Sequence, residues 1–120
     1  MNPPPLPKTP GEILVTTGNE ISGRPVGTYL GIVRGVVVRS TGFSAGFTGS
    51  FKAIAGGNIP EFSRVCEEAR RSAYEVMLQH AAEVGADAVI AFRYDAAGFM
   101  DGCTEVLAYG TAVTLVDSPR

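Results

Sequence analysis

Three carboxylates lie close together in the sequence: Asp95, Asp101 and Glu105. Carboxylate oxygens are the ligands that hard cations prefer, so these residues could hold a metal ion if one loop brought them together. The segment between them contains Gly98 and Gly102, and solvated carboxylates are the commoner outcome in a polar, glycine-rich loop. The three residues are therefore candidate metal ligands, with a purely solvent-exposed role as the favoured alternative.

Thiol and imidazole groups are too sparse for a soft-metal site within one chain. Cys66 and Cys103 are the only cysteines, and His80 is the only histidine. If one helix carries both Cys66 and His80, a rise of 1.5 Å per residue separates them by about 21 Å, too far to share an ion. We expect Cys66 to pack in the core and His80 to lie on the helix surface, so a thiolate site would need several subunits.

Polar residues near strand ends could instead form an active site between subunits, with Arg93, Asp95 and Tyr109 as its members. A Ser–His–Asp hydrolase is disfavoured because His80 would be its only histidine and no nucleophile-elbow motif surrounds a serine. No P-loop or dinucleotide-binding fingerprint is present. An enzyme assembled at subunit interfaces is therefore the alternative to a noncatalytic protein.

Aromatic residues suggest a further kind of site, a small-molecule pocket at a subunit boundary. Apolar and aromatic side chains line most such pockets, although packing in the core or in an interface is the alternative role for these rings. The candidate rings belong to Tyr29, Tyr94, Tyr109, Phe43, Phe47 and Phe51.

Composition limits the classes of partner. The 120 residues suit one domain, and the net charge of −2 comes without a run of Lys or Arg, so we expect no nucleic-acid partner. No apolar run approaches the ~18 residues that span a membrane, and no secretory signal is recognisable, so we expect a cytoplasmic protein without a membrane partner. Charged residues make up only 18% of the chain, which suggests that part of the surface faces another subunit.

One long helix organises the predicted fold. It covers residues 58–84, with Asn58 as its N-cap and Gly85 at the position of a left-handed C-cap. Apolar residues recur at helical spacing and predict a buried stripe of Phe62, Val65, Cys66, Ala69, Ala73, Val76, Met77, Ala81 and Val84. On the opposite face, i,i+4 spacing pairs Glu67 with Arg71, Arg64 with Glu68 and Arg71 with Glu75.

Four strands accompany this helix, over residues 13–17, 28–39, 87–94 and 104–116. Residues 95–102 are predicted to form a loop or loose hairpin, and residues 46–55 a turn or two of extra helix. Residues 1–11 contain five prolines and are predicted to be a flexible arm preceding a single domain over residues 12–120.

The long strands are apolar on both faces. In the second strand, one face carries Leu30, Ile32, Val36 and Val38, whereas the other carries Tyr29, Val33 and Val37 with Gly31 and Gly35, which permit a bulge or a close approach. In the third strand, Ala88, Ile90, Phe92 and Tyr94 share a face. In the last strand, Leu107, Tyr109, Val113 and Leu115 alternate with Val106, Ala108, Gly110, Ala112 and Val116. A single helix covers only one face of a small sheet, so the other face is predicted to be buried between copies.

Several segments occur in the order typical of one protein family: Thr16-Thr17, Gly31-Ile32-Val33, Gly56-Gly57, Ala69-Arg70, Met77, the run from Gly85 to Ile90, Arg93-Tyr94-Asp95 and the run from Glu105 to Val113. Across residues 13–116 the chain resembles the YbjQ-like family, a heavy-metal-binding domain family with a dodecin-like fold. The segment 40–55 departs from the typical pattern.

The resemblance implies an α+β fold in two layers, with a mainly antiparallel sheet packed on one long helix, assembled as a ring of five subunits. Most members of the family have no established function, and the family label implies a metal ion as a ligand. We therefore expect a noncatalytic, cytoplasmic homopentamer that binds a small ligand or a metal ion.

Overall fold

The structure, a computed structural model, describes residues 8–40, 60–100 and 103–116. A 3₁₀ turn over Pro10–Glu12 is followed by β1 (Leu14–Val15), β2 (Val26–Ser40), α1 (Pro60–Glu83), β3 (Ala88–Met100) and β4 (Cys103–Leu115). The strand order is β1-β3-β4-β2. β1 is parallel to β3, and the other pairs are antiparallel, so the sheet is mixed. The predicted α+β class, with one long helix packed on a sheet, is confirmed. The predicted helix over 46–55 and the predicted N-cap Asn58 lie outside the described residues.

The long helix has the predicted stripe at its centre. Ala69, Ala73, Met77 and Ala81 are each at most 3% exposed, and Gly85 follows α1 with a φ of 80°, the left-handed value predicted for its C-cap. Apolar side chains buried in this way supply most of the free energy that holds a helix on a sheet.

Two stripe predictions are wrong, because the sheet contacts a narrower and shorter strip of the helix than the periodicity suggests. Val76 is 48% exposed at the margin of the strip, and Cys66, almost one turn before Ala69, is exposed. The strip is completed on its other side by residues that the pattern did not single out, namely Tyr74, Leu78 and Ala82.

β2 lies very close to the helix at one glycine. A Cβ atom on Gly35 would lie 2.0 Å from the carbonyl oxygen of Ala73, so only hydrogen fits there. The predicted close approach is therefore confirmed, and the neighbouring Val33 is 1% exposed on the same face. Gly31 has a φ of 104° beside a shift in the register with β4, which confirms the bulge predicted as the other role of glycine in this strand.

β3 is longer than predicted. The loop prediction is wrong for residues 95–100, because these residues continue the strand and pair with β4, for example Asp95 with Leu107 and Ala97 with Glu105. Backbone pairing along the ladder outweighs the weak strand preference of Gly98.

Bulges change which residues share a face. Ala91 has a φ of 53° between Ile90 and Arg93, where the register with β4 shifts. Ala88 and Ile90 consequently pack on the side away from α1, whereas Phe92 packs in the core beneath it, so the predicted common face of these residues is wrong. The shift near Gly31 likewise brings Leu30 to the helix side, away from Ile32.

Part of the predicted flexible arm is docked on the domain. The amide of Lys8 donates to the carbonyl oxygen of Ala82 at 2.9 Å, and the Lys8 ammonium forms an ion pair with the carboxylate of Asp87. Residues 8–11 of the predicted arm are therefore part of the described structure, while residues 1–7 lie outside the described residues.

Candidate functional site

The helix-free face is the surface of the sheet opposite α1, and one end of it is covered by the chain itself. The segment between β1 and β2 places Ile21 beside Val26 and Leu115. These side chains enclose the buried residues Ala88, Ile90 and Val113. A second, smaller core therefore occupies this end of the face.

The rest of the helix-free face is open. Three aliphatic side chains of β2 point from it into solvent: Ile32 is 73% exposed, Val38 52% and Val36 43%. We call Ile32, Val36 and Val38 the β2 patch. Their β4 partners Thr111, Leu107 and Glu105 are only partly exposed. The patch agrees with the prediction of an apolar face that the helix does not cover.

Both edges of the sheet are also open within the described residues. β2 pairs with β4 along one side and has no described strand on its other side. β1 ends at Val15. Along the edge of β3 that faces β1, the last backbone hydrogen bond runs from the amide of Phe92 to the carbonyl oxygen of Thr16. From Tyr94 to Met100, β3 therefore has β4 as its single described neighbour. Unpaired edges of this kind are templates for pairing with another strand.

Arg93, Asp95 and Tyr109, the residues of the enzyme hypothesis, are brought together. Arg93 pairs directly with Tyr109 across β3 and β4, and Asp95 follows two residues later on the same face. The Arg93 guanidinium donates to the carbonyl oxygens of Thr17 at 2.9 Å and of Phe92 at 2.7 Å. Arg93 thus ties the segment after β1 to the sheet, which is a structural role.

Two of the three predicted metal ligands, Asp95 and Glu105, lie within the described residues. Asp95 pairs with Leu107 and Ala97 pairs with Glu105, so both carboxylates lie on the helix-free face of neighbouring strands, in diagonal positions. Asp101 lies outside the described residues. Within the part of the chain that is described, no three His, Cys, Asp or Glu side chains are grouped as they would be around a metal ion.

The soft ligands are dispersed as well. α1 carries both Cys66 and His80, and the imidazole Nδ1 of His80 accepts a hydrogen bond from the amide of Arg34 at 3.4 Å. Cys103 begins β4, where it pairs with Ser40 and Met100, and neither cysteine forms a disulfide. The described residues of one subunit therefore do not fit a heavy-metal site.

The aromatic prediction is only partly realised. Tyr94 packs with Phe92 and Tyr74, with edge-to-face centroid distances of 4.8 Å between Phe92 and Tyr94 and 5.5 Å between Phe92 and Tyr74. Tyr29 lines a separate depression, and Tyr109 lies in the middle of the helix-free face. The three tyrosines are thus not in one pocket, and the three phenylalanines lie outside the described residues.

Tyr94 also contributes to a cleft between α1 and the open edge of β3. We call it the Arg–Tyr cleft; it has a volume of about 340 Å³ and is lined by Glu67, Arg70, Arg71, Tyr74 and Tyr94. The Arg70 guanidinium lies 5.9 Å from the centroid of the Tyr94 ring, a cation–π contact. Burial and the neighbouring Tyr74 raise the pKa of Tyr94 above its ordinary value, so its hydroxyl is neutral near pH 7.

Asp87 is a further polar centre that the sequence did not single out. Its carboxylate contacts Lys8 and accepts a hydrogen bond from the amide of Leu115 at 2.8 Å. Burial opposes ionisation, but these hydrogen bonds outweigh it and hold the pKa of Asp87 below its ordinary value. Asp87 therefore joins the N-terminal segment to β4, which is a structural role.

The structure defines an α+β protein with one helix on a mixed, open-edged sheet, and sequence comparison places it in a family. The family model described as "Putative heavy-metal-binding", YbjQ-like, matches residues 13–116. No helix within the described residues is long and apolar enough to cross a membrane.

Relatives agree with this assignment. A UPF0145 protein of Legionella pneumophila is 48% identical over 103 residues, covering 86% of this chain and 98% of the relative. A UPF0145 protein of Chromobacterium violaceum is 50% identical over 102 residues, covering 85% and 87%. One of Solibacter usitatus is 47% identical over 106 residues, covering 88% and 95%. The chain belongs to the YbjQ-like, UPF0145 family.

Proposed function

We propose that the protein is a noncatalytic, cytoplasmic homo-oligomer, a ring of five subunits, that binds a small ligand or a metal ion. The observation that carries the assembly is the exposed β2 patch, together with two sheet edges that have no partner strand among the described residues. The number five follows the family resemblance. The two free thiols are typical of a reducing compartment such as the cytoplasm.

The two open edges suit a head-to-tail contact. β2 and β3 each run antiparallel to β4 and therefore point in the same direction. The β2 edge of one copy can pair, in parallel, with the open half of β3 in the next copy. Such a contact uses two different surfaces and generates a ring when the rotation closes. A two-fold pair of β2 strands would leave the β3 edge of both copies open, so the ring satisfies more backbone groups.

Edge pairing also contributes apolar contacts. Side chains on one face of adjacent strands touch each other, so a strand added beside β2 would cover part of Ile32, Val36 and Val38. Complete burial of one such side chain contributes about 1.5–3 kcal/mol. Partial burial of the β2 patch, repeated at each contact of a ring, supports a stable assembly.

Ligand binding is favoured over catalysis by the role of Arg93. Its guanidinium already donates to two backbone carbonyl oxygens, so the most basic member of the hypothetical active site is engaged in holding the fold. A metal ion would need ligands from more than one subunit, since the described residues of a single subunit group too few of them.

Native mass spectrometry and light scattering at micromolar concentration test the assembly. We expect five subunits for the unmodified chain and smaller species for Val36→Arg, because a buried guanidinium without a partner is costly in an interface. Val76→Arg is the matched control: Val76 is an exposed valine like Val36, at 48% against 43%, but it lies on the helix. A stable monomer of the unmodified chain, or equal effects of the two variants, would contradict the proposal.

A further inference from the structure

The Arg–Tyr cleft is an open depression with the volume of a small-molecule site. Its volume of about 340 Å³ falls in the range of ligand pockets, roughly 300–1,000 Å³. One wall is the surface of α1 with Glu67, Arg70 and Arg71, and the other includes Tyr94 on β3. The described lining residues all belong to one chain, so the cleft forms within one subunit, and in the proposed ring the β2 edge of the next copy would lie beside Tyr94 at its rim.

The charges in the cleft are unbalanced. Arg70 lies 3.9 Å from the carboxylate of Glu67 and also over the Tyr94 ring, so its charge is shared between two neighbours. The predicted pairs of Arg71 with Glu67 and with Glu75 are not formed, and within the described residues Arg71 has no ion pair. Among its described lining residues, the cleft thus contains two guanidinium groups and one carboxylate, and Arg71 has no ion pair with any described residue.

The aromatic wall is held in place from below. Tyr74 and Tyr94 both pack edge-to-face on Phe92, which is 8% exposed in the core. Tyrosine rings fixed in this way present apolar area to a ligand at a small cost in side-chain entropy. A guanidinium beside such rings recognises an anionic group and an adjoining aromatic ring together, whereas it repels a metal cation.

We propose that the Arg–Tyr cleft binds a small aromatic anion, with Arg71 pairing with the carboxylate or phosphate of the ligand and the rings of Tyr74 and Tyr94 packing against the ring of the ligand. The inference rests on the ligand-binding part of the proposed function and names the ligand class and the residues. It does not depend on the ring of subunits.

Isothermal titration calorimetry tests the site with defined probes. Phenyl phosphate and benzoate carry a ring and an anion, inorganic phosphate carries only the anion, and phenol carries only the ring. We expect at least one of the two aromatic anions to bind at least tenfold more tightly than inorganic phosphate and phenol. The preferred probe identifies whether the cleft favours carboxylate or phosphate.

Two arginine variants locate the binding. Arg71→Gln is expected to weaken the binding of the preferred probe at least tenfold, because a charge-assisted pair is lost. Arg64→Gln is the matched control, since Arg64 is an exposed arginine of α1 that does not line the cleft. Tyr94→Leu should weaken the binding of the aromatic anion but leave the weak binding of inorganic phosphate unchanged. Circular dichroism verifies that each variant is folded.

The proposal is overturned if neither aromatic anion binds more tightly than inorganic phosphate, or if Arg71→Gln and Arg64→Gln behave alike. The same titrations on Val36→Arg separate the two hypotheses. Retained binding in a dissociated Val36→Arg supports a site within one chain, whereas loss of binding on dissociation contradicts that placement. If the unmodified chain is a monomer that still binds the probe, only the proposed assembly is contradicted.

Discussion

Gly35 of β2 lies directly against the backbone of Ala73 in the middle of α1. A Cβ atom on Gly35 would be 2.0 Å from the Ala73 carbonyl oxygen and 2.5 Å from the amide nitrogen of Met77. Both of these are backbone atoms of a helix, which cannot move aside as the end of a flexible side chain can. The spacing between the helix and the sheet is therefore set by the absence of a side chain at residue 35.

Gly35→Ala should therefore destabilise the fold strongly. We expect the free energy of unfolding to fall by about 3 kcal/mol, at the upper end of the usual cost of overpacking, because helix and sheet must separate locally. Denaturant unfolding followed by circular dichroism measures the change. Gly98→Ala is the control, since a Cβ at Gly98 meets nothing within 4 Å. Equal stability of the two variants would contradict the tight contact.

Asp87 makes stability depend on pH at the acidic end. Its pKa is lower in the folded state than the unfolded value of about 3.9, so the stabilisation is fully present above that value and is lost as the pH falls through the folded pKa. Asp87→Asn should lower the free energy of unfolding by about 1 kcal/mol at pH 7, a modest figure because solvent screens the partly exposed Lys8.

Thermal unfolding over a series of pH values checks this prediction. The difference between the unmodified chain and Asp87→Asn should shrink towards zero once the pH is below the folded pKa. Asp95→Asn serves as the comparison, since Asp95 is an exposed carboxylate without an ion pair among the described residues. A difference for Asp87→Asn that stays constant down to low pH would show that the ion pair with Lys8 contributes nothing.

Residue periodicity predicted the fold wherever the elements are regular. In β4, strict alternation assigns Val106, Ala108 and Ala112 to one face, and these residues are buried beneath α1. The helix was predictable for the same reason, from Ala69 to Ala81. The exposed β2 patch was predictable too, since Ile32, Val36 and Val38 alternate with residues that face the helix.

Features that depend on contacts distant in the sequence were not predictable. The bulge at Ala91 involves a hydrogen bond from its amide to the carbonyl oxygen of Gly18, at 2.7 Å, and an alanine carries no signal for such a conformation. The exposure of Cys66 depends on how much of α1 the sheet reaches. In the Arg–Tyr cleft, Tyr94 was identified from its residue type. Arg71 was assigned to ion pairs along the helix, because the position of β3 beside it was unknown.

Ala91 adopts a left-handed backbone conformation that costs an alanine roughly 1–2 kcal/mol relative to glycine. Ala91→Gly should remove this strain, and the greater freedom of glycine in the unfolded chain offsets only about 0.4–1 kcal/mol of the gain. We therefore expect a small net stabilisation, measured as a rise of a few degrees in Tm. Ala97→Gly is the matched control in the same strand, because Ala97 has no positive φ, and it should lower Tm instead. If both substitutions lower Tm, the left-handed backbone at Ala91 carries no net strain.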